Sequence, residues 1–285
     1  MVVRGDLPSP SARKPEQAVE AWVKAGLAIK VQSFAPVAQQ DFHLAHQPRH
    51  VSEILNLSRR NGFDTFCPEV CATLPWTTGS MLAAARYALT HRTIACSPTS
   101  GFHHAGYETS WGFCTFNGLM VTARKLLQEG LVRRVGILDC DRHLGDGTED
   151  IIARTRSRHQ IVHFTVRAHY PDEAEGFFQA LPGMLATLAS CDLVLYQAGA
   201  DVHVDDPLGG YLDSEQMRLR DRMVLSFLAE RGVPTAWNLA GGYQEETLPD
   251  GRASLDKVLA LHIATMEESL AAARGFRRRA EAILL

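Results

Sequence analysis

Three clusters of ionisable side chains each follow a short apolar run. The first is Ser97-Pro-Thr-Ser-Gly-Phe-His103-His104-Ala105. The second is Asp139-Cys-Asp141-Arg-His143-Leu-Gly-Asp146-Gly147, and the third runs from Gln197 through Asp201, His203 and Asp205 to Pro207. In an extended segment, side chains two apart point to the same side, so Asp141 and His143 can reach one ion. Asp201 completes a set of three ligands, which leaves zinc an open position for water or substrate. An ion held there lowers the pKa of its water to roughly 7 and polarises a carbonyl. The tandem His103-His104 suits proton transfer, because histidine titrates near neutrality and a carboxylate fixes its tautomer. Asp139 and Asp146 flank the ligand set and supply such carboxylates. Taken alone, a tandem histidine is more often a surface or structural pair; beside these acids the catalytic reading is favoured. A fourth cluster, Ala240-Gly241-Gly242-Tyr243, permits close backbone approach and aims a phenol at a developing oxyanion, or simply caps a strand.

These clusters meet only if the chain brings them to one edge. Thr93–Cys96, Val135–Leu138, Ile161–Val166, Leu193–Tyr196 and Thr235–Leu239 read as strands. Helical patterns over Leu119–Gln128, Phe177–Ala189, Ser214–Glu230 and Leu255–Ala273 separate several of them. The alternation predicts an α/β fold with a mainly parallel sheet covered on both faces, its working loops beyond the carboxyl ends of the strands. Upstream, a helix opens at Pro15 and stops at Gly26, another spans about residues 49–59, and a third starts near Thr77. Cys67 to Pro75 reads as loop. The absence of repeats and of a linker favours one domain over residues 1–285.

Composition sets the class. The 285 residues are 46% hydrophobic and 21% charged, which excludes a disordered chain, a collagen-like fibre and a disulfide-dense miniprotein. A formal charge of −3 gives no basic field to attract nucleic acid or anionic lipid. No apolar run suits a membrane span or a signal peptide, so a cytoplasmic enzyme with reduced thiols is the expectation for the six cysteines. Cys67 and Cys71, four apart, read as free thiols, and Cys114 and Cys140 as small packed hydrophobes.

Ordered blocks across residues 41 to 270 resemble the zinc-dependent histone deacetylases and acetylpolyamine amidohydrolases of the arginase–deacetylase fold. The G-H-H-A pattern is met by Phe102-His103-His104-Ala105, with phenylalanine in place of the glycine. G-F-C-x-x-N appears from Gly112 to Asn117, D-x-D-x-H-x-G-D-G-T from Asp139 to Thr148, G-A-D-x-x-x-D-D-P-L-G-G from Gly199, and G-G-Y ends at Tyr243. The resemblance implies a three-layer αβα domain with one zinc per chain, held by Asp141, His143 and Asp201. It implies that His104, partnered by Asp146, is the general base, and that His103, partnered by Asp139, helps stabilise charge and protonate the leaving amine. Tyr243 would assist in holding the oxyanion and Phe113 would form one wall of the acyl channel. The substrates implied are acyl-lysine peptides or proteins, or acetylated polyamines.

Two departures matter. Where the family has S-x-H beside a structural potassium ion, this chain reads Arg167-Ala168-His169. Arg167 is too bulky for that ion, and its guanidinium is expected in the cation's place against Asp139. The region before Asp41 is also short for the family. His43, His46 and His50 resemble the H-x-P-x-Y block without a metal role, and His169 and His203 are expected near the site. The alternatives are a degenerate deacetylase-like binding protein, or an arginase-like ureohydrolase with two manganese ions. Oligomer formation is left open.

Overall fold

The computed structural model describes residues 13–166 and 173–283. Five strands form one fully parallel sheet: β1 (Ile94–Ser97), β2 (Val135–Asp139), β3 (Ile161–Thr165), β4 (Leu193–Gln197) and β5 (Thr235–Asn238), in the order β1-β5-β4-β2-β3. Every residue of β2, β4 and β5 is buried, as expected of a parallel sheet covered on both faces. Alternate side chains feed two cores. Leu138, Tyr196 and Trp237 join α1 (Lys14–Lys24), α7 (Ala174–Leu188), α8 (Ser214–Glu230) and α9 (Asp256–Ile283). Ile137, Leu195 and Ala236 join α3 (Pro48–Leu55), α4 (Pro68–His91), α5 (Gly118–Gln128) and α6 (Asp146–Arg154). A four-residue α2 (Gln39–Phe42) and a small hairpin, β6 (Glu246–Thr247) with β7 (Ala253–Ser254), complete the described elements.

Register positions the chemistry. Ser97 pairs with Asn238, Asn238 with Gln197, Gln197 with Asp139, and Asp139 with Thr165. All five strands therefore end level, and the loops that follow them leave from one edge.

The five strands fall where the sequence places them, within a residue or so at each end. Two helices do not. Residues 68–75 are helical rather than loop: Pro68 sits at the helix start, where its missing N–H costs nothing. Pro75 is carried inside the helix, and its carbonyl accepts the Val37 amide at 3.0 Å. Helix α6 opens on Asp-Gly-Thr-Glu-Asp, a polar run with no apolar period, and is held by buried Ile151 and Ile152.

Candidate active site

The site lies at the level edge, and each of its loops is fastened locally. Asp141, His143 and Asp201 each offer one ligand atom, and these atoms lie within 4.8 Å of one another. His143 Nδ1 lies 3.1 Å from Asp141 Oδ1 and 3.0 Å from Asp201 Oδ2. The carboxylates are aimed by backbone amides: Gly241 N–H donates to Asp141 Oδ2 (2.9 Å) and Arg142 N–H to Asp201 Oδ1 (3.0 Å). Burial first, and then the neighbouring Asp141 carboxylate, push Asp201 up to about 7. Two buried acids and an imidazole converging on one point form a donor set that fits a divalent cation with oxygen and nitrogen ligands.

The two histidines of the tandem stand beside this triad, each tied to its own acid. His103 donates from Nδ1 to Asp139 Oδ2, and His104 from Nδ1 to Asp146 Oδ1, both at 2.7 Å. Their rings lie 4.1 Å apart, and His103 Nε2 is 3.5 Å from Asp141 Oδ1. Burial alone would lower the His103 pKa, but the Asp139 and Asp141 carboxylates outweigh it and raise it to about 9. Asp139 is fully satisfied, since its Oδ1 accepts from the Gln197 amide (2.8 Å) and from Asp141 N–H (3.1 Å).

Tyr243 reaches the same space from the turn after β5, its backbone N–H held by Asp206 Oδ2 at 2.8 Å. Burial, reinforced by Asp141, pushes its phenol well up, so the hydroxyl keeps its proton at neutral pH. Across from it, Gly112 and Phe113 both adopt left-handed backbone, with φ of 56° and 63°. Phe113 packs between Phe63 (5.7 Å) and Tyr243 (6.0 Å), and the Trp111 ring lies 4.1 Å from the ring of His104.

The structure brings together Asp139, Asp141, His143, Asp146, Asp201, His103, His104, Phe113 and Tyr243, all singled out from the sequence. Arg167 and His169 lie outside the described residues, and with them the potassium question. His203 belongs to its own loop instead: Nδ1 accepts from Asp205 N–H (3.1 Å) and Nε2 donates to Ser214 Oγ (2.9 Å). His46 is structural, donating to Gly106 O (2.7 Å) and accepting from Asn117 N–H (2.9 Å), which fixes the segment below the tandem. None of the six cysteines is joined in a disulfide.

Two participants escaped the sequence reading. Trp111 carried no signal beyond its place beside Gly112. Lys14, wholly buried at the start of α1, donates to Ala240 O (2.9 Å) and Gly241 O (2.8 Å) beneath the Tyr243 turn. Burial lowers its pKa to about 8, opposed by Asp201, Asp141 and Asp206.

Comparison with known proteins agrees with this geometry. The histone deacetylase domain model matches residues 10–183. An uncharacterized protein of Picosynechococcus sp. is 34% identical over 224 residues, covering 70% of this chain and 74% of its own length. The chain belongs to the histone deacetylase family. Acetylpolyamine amidohydrolase 1 of Pseudomonas aeruginosa is 28% identical over 184 residues, covering 54% of this family member and 51% of the amidohydrolase. The match thus spans about half the length of that relative. The crystal structure of an acetylpolyamine aminohydrolase from Burkholderia pseudomallei superposes with a TM-score of 0.72 at 16% identity, covering 95% of this chain and 94% of that one. It shows the shared arginase–deacetylase fold. Among the described residues, no helix is long and apolar enough to cross a membrane.

Proposed function

We propose that this histone deacetylase family member is a zinc-dependent amidohydrolase that removes acetyl or other short acyl groups from acyl-lysine or from acylated polyamines. The observation that carries the reading is the placement of two Asp-paired histidines, at 2.7 Å each, beside a converging Asp141–His143–Asp201 triad. The relatives named for acetylpolyamines support the amine class.

Asp141, His143 and Asp201 would hold the ion, which when bound supplies a Lewis acid for the amide carbonyl and an acidified water. His104 takes the proton of the attacking water at Nε2, because Asp146 holds Nδ1 as the donor and leaves Nε2 as the base. His103, fixed through Nδ1 by Asp139, gives a proton from Nε2 to the leaving amine. The Tyr243 hydroxyl donates to the carbonyl oxygen as charge builds there. Phe113 and Trp111 line the approach and shield the histidines from bulk water.

The test is hydrolysis by the zinc-loaded chain of a panel of acetyl-lysine peptides, longer acyl-lysines and acetylated polyamines, with and without chelator and against His104→Ala. Turnover that is lost with either treatment is expected. No turnover of any substrate at one zinc per chain would sink the proposal, and two bound manganese ions would redirect it to ureohydrolase chemistry.

A further inference from the structure

Arg220 lies on α8 and is wholly buried. Its Nε donates to Asp221 Oδ1 at 2.8 Å. Its Nη1 donates to Gly199 O at 2.7 Å and, more weakly, to Cys140 O at 3.4 Å. Cys140 directly precedes Asp141, and Gly199 stands two residues before Asp201. One guanidinium therefore spans the two loops that carry the carboxylates of the triad.

The loops meet tightly at this point. A Cβ on Gly199 would lie 2.6 Å from Asp141 Cα and 2.8 Å from Asp201 Oδ1. The partner of the arginine is itself immobilised: Asp221 Oδ1 accepts from the Tyr196 hydroxyl (2.5 Å), and Oδ2 accepts from Thr265 Oγ1 (2.6 Å). The anchor thus runs from β4 and α9 through Asp221 to the guanidinium and on to the two loop carbonyls.

Stability alone does not account for this arrangement. Burying an Arg–Asp pair costs several kcal/mol of desolvation per ion, and well-packed apolar replacements are often neutral or better. An apolar side chain, however, would leave the Gly199 carbonyl without its short bond and the spacing of the loops unset. The geometry points to Arg220 as a positioning residue for the triad, its guanidinium setting the separation of Asp141 from Asp201. This rests on the metal-binding reading above.

The experiment compares the full-length wild-type chain with Arg220→Met, Arg220→Lys and Asp221→Asn. Zinc affinity is read by competition with a chromophoric chelator, amide exchange of residues 140–142 and 199–201 is read in zinc-free protein, and kcat and KM are measured separately. Arg220→Met is expected to weaken zinc about 10–100-fold, the range for groups that orient metal ligands. It should also speed exchange in both segments and lower kcat far more than it raises KM. Arg220→Lys should recover part of the zinc affinity, because an ammonium still donates to one carbonyl. Should Arg220→Met not fold, Asp221→Asn, which releases the guanidinium from its anchor, carries the same expectations. Zinc affinity within twofold of wild type together with unchanged exchange in the folded variants overturns the inference. A wild-type chain that takes up no zinc overturns the metal reading instead, and the exchange comparison then decides the clamp on its own.

Discussion

Replacing Gly241 by alanine adds one methyl group at the point where both carboxylates of the triad are aimed. That Cβ would stand 2.3 Å from Asp201 Oδ2, 2.5 Å from Asp201 Cγ and 2.7 Å from Asp141 Oδ2. Carbon contacts settle near about 3.5 Å, so each carboxylate must retreat by roughly 1 Å. The backbone of Gly241 is not left-handed, so the effect is steric and not one of backbone strain. Ligand distances in metal sites hold to within about 0.2 Å, and a misplacement of about 1 Å at a reacting centre costs about 100-fold in rate. Gly241→Ala should therefore lower kcat/KM by about 100-fold or more, with a fall in zinc affinity of similar order, while overpacking removes about 1–3 kcal/mol of stability. Gly183→Ala is the matched control. That glycine is in α7 with nothing within 4 Å of its Cβ position, and alanine there should stabilise by about 0.5–1 kcal/mol without touching zinc affinity. Chelator competition, initial rates and urea unfolding read the three quantities. A Gly241→Ala protein that binds zinc and turns over within a few-fold of wild type would refute the claim that these carboxylates are held by contact with the turn.

His104→Ala should cut kcat by about 100- to 10,000-fold, the span of a lost general base, whereas Asp146→Asn should cost less because it only orients the ring; equal losses would contradict that division of labour. Trp111→Ala exposes the face of His104, and is expected to lower kcat and to change which acyl chains are accepted, read from the same substrate panel. Burial lowers His46 to about 3 and His50 to about 4, and it holds His262 well down, so the unfolded chain binds protons that the fold refuses. Unfolding free energy should therefore fall as pH drops below about 6.5, His46 alone accounting for about 2 kcal/mol between pH 7 and 5. Urea titrations of wild type and His46→Gln at both pH values check this, and identical slopes would dismiss it.

The strand ends and the Asp141–His143–Asp201 cluster were legible because parallel strands leave a plain record: β-rich runs of about five residues, three of them followed by clusters of ionisable side chains. The pairings His103–Asp139 and His104–Asp146 followed from the ordered blocks, which fix which acid serves which ring. Lys14 and Arg220 were not legible. A lysine at the start of an amphipathic helix, or an arginine within one, reads as a solvated side chain, and only the fold reveals that Lys14 meets carbonyls more than 200 residues away. Helix α6 was hidden for a related reason: its first turn is chosen for Asp146 and for its acidic start, so the apolar period appears only at Ile151 and Ile152. His203, two residues from Asp201, was drawn toward the site by proximity in sequence alone, whereas its hydrogen bonds bind it to the start of α8.

Phe113 stands in a backbone conformation that a bulky residue adopts at a cost of about 1–3 kcal/mol, held there by its N–H bond to Gly62 O at 2.9 Å and by the bridge of Trp111 to Cys114. The backbone at Phe113 is consequently set before any ligand arrives. Contact with Phe113 asks for no ordering of that backbone, so affinity differences within a ligand series that packs against it should track the freedom each ligand itself gives up. Stiff ligands should outperform flexible ones of equal length against a backbone that is already in place.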